Sequence, residues 1–181
     1  MNPFSSEILP AIRDLKDLDR VVKTDYEHIV LLNTHVGQLK SLMKMLKSYD
    51  KKVLLHADLV QGLKTDEYAA QFLCRDIKPF GLVSTRKSIL HTAKKSGLLT
   101  VQRMFLLDSI ALESRFQMFE NIQPDCVEVL PGIMPHIISE IKEKTGSTII
   151  AGGLIRTELE ARASINAGAS AVTTSNKNLW L

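Results

Sequence analysis

Seven short apolar runs recur along the chain at near-regular intervals, and this recurrence restricts the fold more than any other feature. They begin near residues 28, 52, 80, 98, 125, 147 and 169, so the intervals are 24, 28, 18, 27, 22 and 22 residues. Between them lie helical patterns. Leu39, Leu42, Met43 and Leu46 fall on one helix face, a second helix begins near Thr65, and a third runs from about Arg86 to Lys95 with Gly97 as its C-cap. One run and one helix per interval is one βα unit. Near-continuous apolar runs are strands buried on both faces, as in a parallel sheet covered by helices or closed on itself. Seven units favour closure. A full eight-unit barrel typically needs about 250 residues, so 181 residues imply a compact or incomplete TIM-like (β/α) barrel with about seven parallel strands. Residues 1–25, in which ILPAIRDLKDLDRVV has a helical pattern, supply a leading N-terminal helix. The alternative is an open doubly wound sheet, because periodicity does not show closure. No linker interrupts residues 1–181, which read as a single domain.

Composition excludes several classes. At 45% hydrophobic and 24% charged residues the chain carries an ordinary globular core. It has no basic segment leading into an apolar leader and no run approaching the roughly 18 apolar residues of a membrane span, which implies a cytoplasmic protein. Cys74 and Cys126 sit in apolar contexts without metal-ligand spacing and read as buried thiols. The charge is asymmetric: residues 1–100 hold 16 Lys/Arg and 11 Asp/Glu, the remainder 7 and 9. No acid falls between Asp76 and Asp108. Lys40, Lys44, Lys47 and Lys51 form one stripe, and Lys87, His91, Lys94 and Lys95 a second, with Arg86 just before it. Such stripes are usually solvated helix faces; clustered without acids, they also suit a polyanion.

Barrel and open sheet alike place ligands at the carboxyl ends of the strands. Gly152 and Gly153 end one run, and Thr157 with Glu160 forms a capping box just beyond. Thr174, Ser175 and Asn176 end the next run. Bare backbone and hydroxyls from the last two βα loops, with a helix N-terminus aimed at the anion, suit a phosphate held by Gly152, Gly153, Ser175 and Asn176. A glycine turn beside a polar loop is the plainer reading. His56, Asp58, Arg103, Asp108 and Glu128 also lie at strand ends. They could supply an acid and a base, or accept hydrogen bonds from ligand hydroxyls. No lysine ends a strand where a Schiff base would form, and no cluster has metal spacing.

The segments VLLHADLVQGLKTDEYA, GLVSTRKSILHTAKKSGLLTVQRMFLLDS, PDCVEVLPGIMPHII and IIAGGLIRTELEARASINAGASAVTTSNKNLW carry a family resemblance over nearly the whole chain. They are similar to the glycerol-3-phosphate-responsive antiterminators of bacterial glycerol uptake operons. The resemblance implies a cytoplasmic, barrel-like regulator, not an enzyme, that binds glycerol 3-phosphate as effector, with no cofactor or metal. It further implies binding to the leader mRNA of glycerol-metabolism genes, preventing transcription termination. On this reading Gly152, Gly153, Ser175 and Asn176 take the phosphate, and His56, Asp58, Arg103, Asp108 and Glu128 the glycerol moiety. Lys40, Lys44, Lys47, Arg86, Lys87, Lys94 and Lys95 are then candidates for RNA. No membrane is expected as a partner, and a homo-oligomer stays open. Two alternatives remain: a small barrel enzyme acting on a phosphorylated triose or polyol, and a metabolite-binding scaffold with protein partners only.

Overall fold

The computed structural model describes residues 2–106 and 122–180. Asp108 lies outside the described residues. The described strands are β1 (Ile8–Ile12), β2 (His28–Leu31), β3 (Thr34–His35), β4 (Lys52–His56), β5 (Val60–Gln61), β6 (Gly81–Ser84), β7 (Leu99–Phe105), β8 (Cys126–Leu130), β9 (Thr148–Gly152) and β10 (Ala171–Thr174). The described α-helices are α1 (Leu18–Val21), α2 (Val36–Ser48), α3 (Glu67–Phe72), α4 (Lys87–Lys95), α5 (Pro135–Thr145) and α6 (Glu158–Asn166). Eight strands close a parallel barrel in the order β1-β10-β9-β8-β7-β6-β4-β2, while β3 and β5 form a small separate sheet.

The TIM-like expectation holds, with one correction to the strand count. The eighth barrel strand is β1, within the segment expected to be a leading helix. Ile8, Leu9 and Pro10 align with Val172, Thr173 and Thr174 on one side, and Ala11 and Ile12 with Val30 and Leu31 on the other. A strand buried on both faces shows no period-two alternation, so its apolar residues run into the helical pattern that follows. What remains of the leading helix is a 3-10 turn, Leu15–Asp17, and the single turn of α1. Asp14 caps the former by accepting from the Lys16 amide at 3.0 Å. The barrel is therefore complete.

Side chains alternate along each strand, so residues two apart face the same way. The middle of the barrel is apolar, filled by Leu9, Val30, Leu54, Val83, Val101, Cys126, Ile150 and Ala171. At the N-terminal end Phe4 and Phe80 meet the His28 ring edge-on, with centroids 5.6 and 5.1 Å away. Outside, Leu39, Leu42 and Leu46 of α2 pack with Ile29, Leu31, Val53 and Leu55. Ile138 and Ile141 of α5 pack with Val127, Val129, Ile149 and Ala151. Two residues beyond the apolar layer, the same strands present His56, Arg103, Glu128, Gly152 and Thr173. Interior polarity is thus concentrated at the carboxyl ends.

Candidate functional site

Four of these upper-layer side chains form one network. Arg103 Nε lies 2.7 Å from Glu128 Oε2, and Thr173 Oγ1 donates to Glu128 Oε1 at 2.6 Å. An Arg103 terminal nitrogen meets His56 Nε2 at 2.6 Å. A guanidinium only donates, so His56 Nε2 accepts and the imidazole is neutral with its proton on Nδ1. Burial, and then the Arg103 cation, push the His56 pKa down to about 4. His56 thus acts through Arg103, fixing the guanidinium that faces the opening.

The two glycines have different reasons to be there. A Cβ on Gly152 would lie 2.6 Å from both Glu128 Oε1 and Thr173 Oγ1, so this glycine makes room for the buried network. Gly153, at φ +76°, turns the chain out of the strand, with 3.4 Å to Leu130 as its tightest prospective contact. Leu154 follows at φ 62°, a left-handed conformation that costs energy in a residue with a Cβ and that the surrounding loop must hold.

Above the network opens a cavity of about 420 Å³, whose walls include Arg13, Arg103, Glu128, Gly153, Arg156, Thr173, Ser175 and Asn176. Among the described residues three arginines and one glutamate are its charged lining residues, a net positive lining. Asn176 Nδ2 donates to the Arg156 carbonyl at 2.8 Å, and Asn176 Oδ1 accepts from the Asn178 amide at 3.2 Å. Its side chain therefore ties the last two βα loops together and steadies the backbone of Arg156. Ser175 is exposed on the wall.

The helix N-terminus expected to face the anion is already occupied. Thr157 and Glu160 form the capping box, and Glu160 accepts from the amides of Arg156 and Thr157 at 2.7 and 2.9 Å. Those hydrogen bonds, Arg156 first, lower the Glu160 pKa. Positive side chains rather than this helix end supply the attraction for an anion.

The structure brings together Gly153, Ser175, Asn176, Arg103 and Glu128 at the cavity, with Gly152 and His56 just beneath. It places Asp58 elsewhere. Asp58 accepts from Ser84 Oγ at 2.5 Å and from the amide and hydroxyl of Thr85 at 2.8 and 2.9 Å, so it braces the loops after β4 and β6. Lys94 is likewise not free of acids, because folding brings Asp125 Oδ1 to 3.9 Å and the Gln123 carbonyl accepts from its ammonium. Lys87, Lys95 and Arg86 are exposed around α4, and Lys40, Lys44 and Lys47 are exposed on α2. Sequence reasoning missed Arg13 and Arg156. Arg13 follows the strand that was read as helix, and Arg156 stands between the glycine pair and the capping box, where it was legible. Among the described residues no cluster of three His, Cys, Asp or Glu side chains could hold a metal ion, and no helix is long and apolar enough to cross a membrane.

Comparison with known proteins gives a consistent picture. A family model described as glycerol-3-phosphate responsive antiterminator matches residues 8–180. The crystal structure of a glycerol uptake operon antiterminator regulatory protein from Listeria monocytogenes is 44% identical, with 99% of this chain and 97% of that one covered and a TM-score of 0.97. A glycerol uptake operon antiterminator-related protein from Thermotoga maritima is 34% identical, with coverage of 97% and 98% and a TM-score of 0.86. The Escherichia coli K12 protein YgcP, described as uncharacterized, is 32% identical over 96% of this chain and 91% of its own length. A deoxyribose phosphate aldolase from Aeropyrum pernix, at 16% identity, 93% and 85% coverage and a TM-score of 0.71, shares the fold alone.

Proposed function

The chain belongs to the family of glycerol-3-phosphate-responsive antiterminators, and on that premise we propose that it is a glycerol 3-phosphate sensor acting on RNA. Loaded with effector, it engages the leader mRNA of glycerol-metabolism genes and keeps the transcript from terminating. The observation that carries the ligand half is the cavity: among the described residues Arg13, Arg103 and Arg156 stand against Glu128, a net positive mouth suited to a phosphate ester. Arg13, Arg156 and Ser175 take the phosphate, with Gly153 keeping the wall bare. Glu128 and Thr173, each with a free acceptor site beyond the network, take the glycerol hydroxyls. Asn176 positions Arg156, and His56 positions Arg103.

Gating follows from linkage. Effector favours RNA binding only as far as it binds the RNA-competent conformation better, and RNA tightens effector binding by the same factor. A coupling of about 1–3 kcal/mol is typical.

The alternative is a small barrel enzyme acting on a phosphorylated triose or polyol, a reading favoured by the fold shared with aldolases. It requires an acid or base from Asp58, Asp108 or Glu128; Glu128 engages Arg103 and Asp58 accepts from Ser84 and Thr85, while Asp108 lies outside the described residues. Calorimetric titration with glycerol 3-phosphate, glycerol and inorganic phosphate, with product monitored, separates the two. Saturable binding of the intact ester, much weaker for either fragment and without turnover, is the expected result. Turnover would make the chain an enzyme, and no binding would remove the effector site.

A further inference from the structure

A second cationic region lies at the opposite end of the barrel. A groove of about 580 Å³ there is lined by Lys40, Lys44 and Lys47 of α2, by Lys51 and Lys52, and by Lys78. Glu27, Lys52 and Phe80 all stand at or just before the first residues of β2, β4 and β6, which places the groove at the N-terminal end. Among the described lining residues Glu27, Asp50 and Asp76 are its acids, so lysines outnumber carboxylates two to one.

The lysines divide by what holds them. Lys51 Nζ donates to the carbonyls of Thr24 and Tyr26 at 2.6 and 2.8 Å, and burial, the largest influence, lowers its pKa. Lys52 pairs with Glu27 at 2.6 Å and stands 5.5 Å from the Phe80 ring centroid. Lys40, Lys44, Lys47 and Lys78 have no ion pair among the described residues. The first three stand at i, i+4 and i+7, so they span roughly 10 Å along one edge of α2. Lys78 ends the helical segment after α3 at φ 52°, a left-handed position where glycine or asparagine is the relaxed choice. A lysine held there against its backbone preference points to a use for the charge.

We infer that this N-terminal groove is the RNA-binding surface, contacting the phosphate backbone through Lys40, Lys44, Lys47 and Lys78, an inference that rests on the antiterminator reading above. Lysine is a flexible point charge suited to phosphates along a chain, and four such charges in one groove give binding that sums over contacts. The aromatic at the groove, Phe80, is packed against His28 and offers no stacking platform, so the groove reads backbone rather than bases. The stripe on α4 is weaker, since Lys94 is engaged by Asp125 and Gln123. Effector and RNA then bind opposite ends of one barrel, linked by β4, which runs from Lys52 at the groove to His56 under the cavity.

The test is fluorescence anisotropy with a labelled transcript of the leader preceding the glycerol-uptake genes and a scrambled transcript of equal length, over a salt series at saturating glycerol 3-phosphate. The K40A/K44A/K47A variant should bind both transcripts at least tenfold more weakly and show a log–log salt slope shallower by about 2, with calorimetric effector affinity unchanged. K78G should raise the thermal midpoint while weakening RNA binding, a pair of changes that damage to the fold cannot produce. Unchanged affinity and slope in K40A/K44A/K47A and K78G, with loss in K87A/K95A, would overturn the groove and leave the antiterminator reading standing. No RNA bound by the wild-type protein at low salt would overturn both.

Discussion

The two cationic ends of the barrel use different residues in different surroundings. At the carboxyl end Arg103 is clamped between Glu128 and His56, and the Arg156 backbone is tied to the neighbouring loop by Asn176. At the amino end Lys40, Lys44 and Lys47 are exposed on a helix face. A small anion must be met by groups already in place, because few contacts carry all the affinity. A polymer can be held by mobile charges, because many weak contacts add. The contrast predicts that substitutions in the buried clamp act on folding and effector together, whereas alanine at the exposed lysines of α2 leaves both alone.

Breaking the mouth should have the largest effect. Glu128→Ala leaves the Arg103 guanidinium buried without its carboxylate, and urea unfolding should show a loss of about 3–5 kcal/mol, with effector binding abolished. A loss under 1 kcal/mol would mean that water replaces the pair and that the clamp is not structural.

Acid should act on the same network through His56. Its folded pKa, about 4, lies below the unfolded value, so the unfolded chain takes up the proton first. Stability is full above about pH 6.5, falls as pH is lowered towards 4, and loses up to about 3 kcal/mol from this group. The difference between wild-type and His56→Gln stability curves isolates that window from carboxylate titration. Parallel curves between pH 4 and 6.5 would mean that His56 titrates alike in the native and unfolded states.

Arg156→Ala removes a charged donor from the mouth but nothing from the buried clamp. Effector affinity should fall about 10- to 100-fold, the worth of roughly 1.5–3 kcal/mol for a charged hydrogen bond, with the unfolding midpoint nearly constant. An unaltered calorimetric affinity would move the phosphate to Arg13 and Ser175. The glycines sharpen the division further. Gly152→Ala drives a methyl into Glu128 and Thr173 and should cost about 1–3 kcal/mol in thermal unfolding. Gly153→Ala has space and bears only its left-handed φ, about 1 kcal/mol. Equal costs would contradict the different roles assigned to them. Smallest is Lys44→Ala, which should change stability by no more than about 0.5 kcal/mol.

Much of this architecture was legible without coordinates. The spacing of apolar runs predicts the βα repeat because a parallel strand buried on both faces must be apolar throughout and must be followed by a crossover helix. The capping box at Thr157 and Glu160 was readable because its hydrogen bonds join residues three apart. β1 was not readable, because a doubly buried strand carries no alternation of its own and merges into the one-turn helix behind it. Arg13 was lost with it.

What only the tertiary structure decided was convergence. His56, Arg103, Glu128 and Thr173 come from four strands that meet only when the barrel closes, and no local pattern records which strand-end residues will touch. Asp58 resembles Glu128 in sequence, yet its oxygens accept from Ser84 and Thr85 on the neighbouring loop. Asp125 meets Lys94 across 31 residues, so a stripe that is acid-free in sequence is not acid-free in space. Periodicity is a property of neighbours along the chain and survives in the sequence. Which charge pairs with which depends on distances between strands and loops, and only closure of the barrel set those.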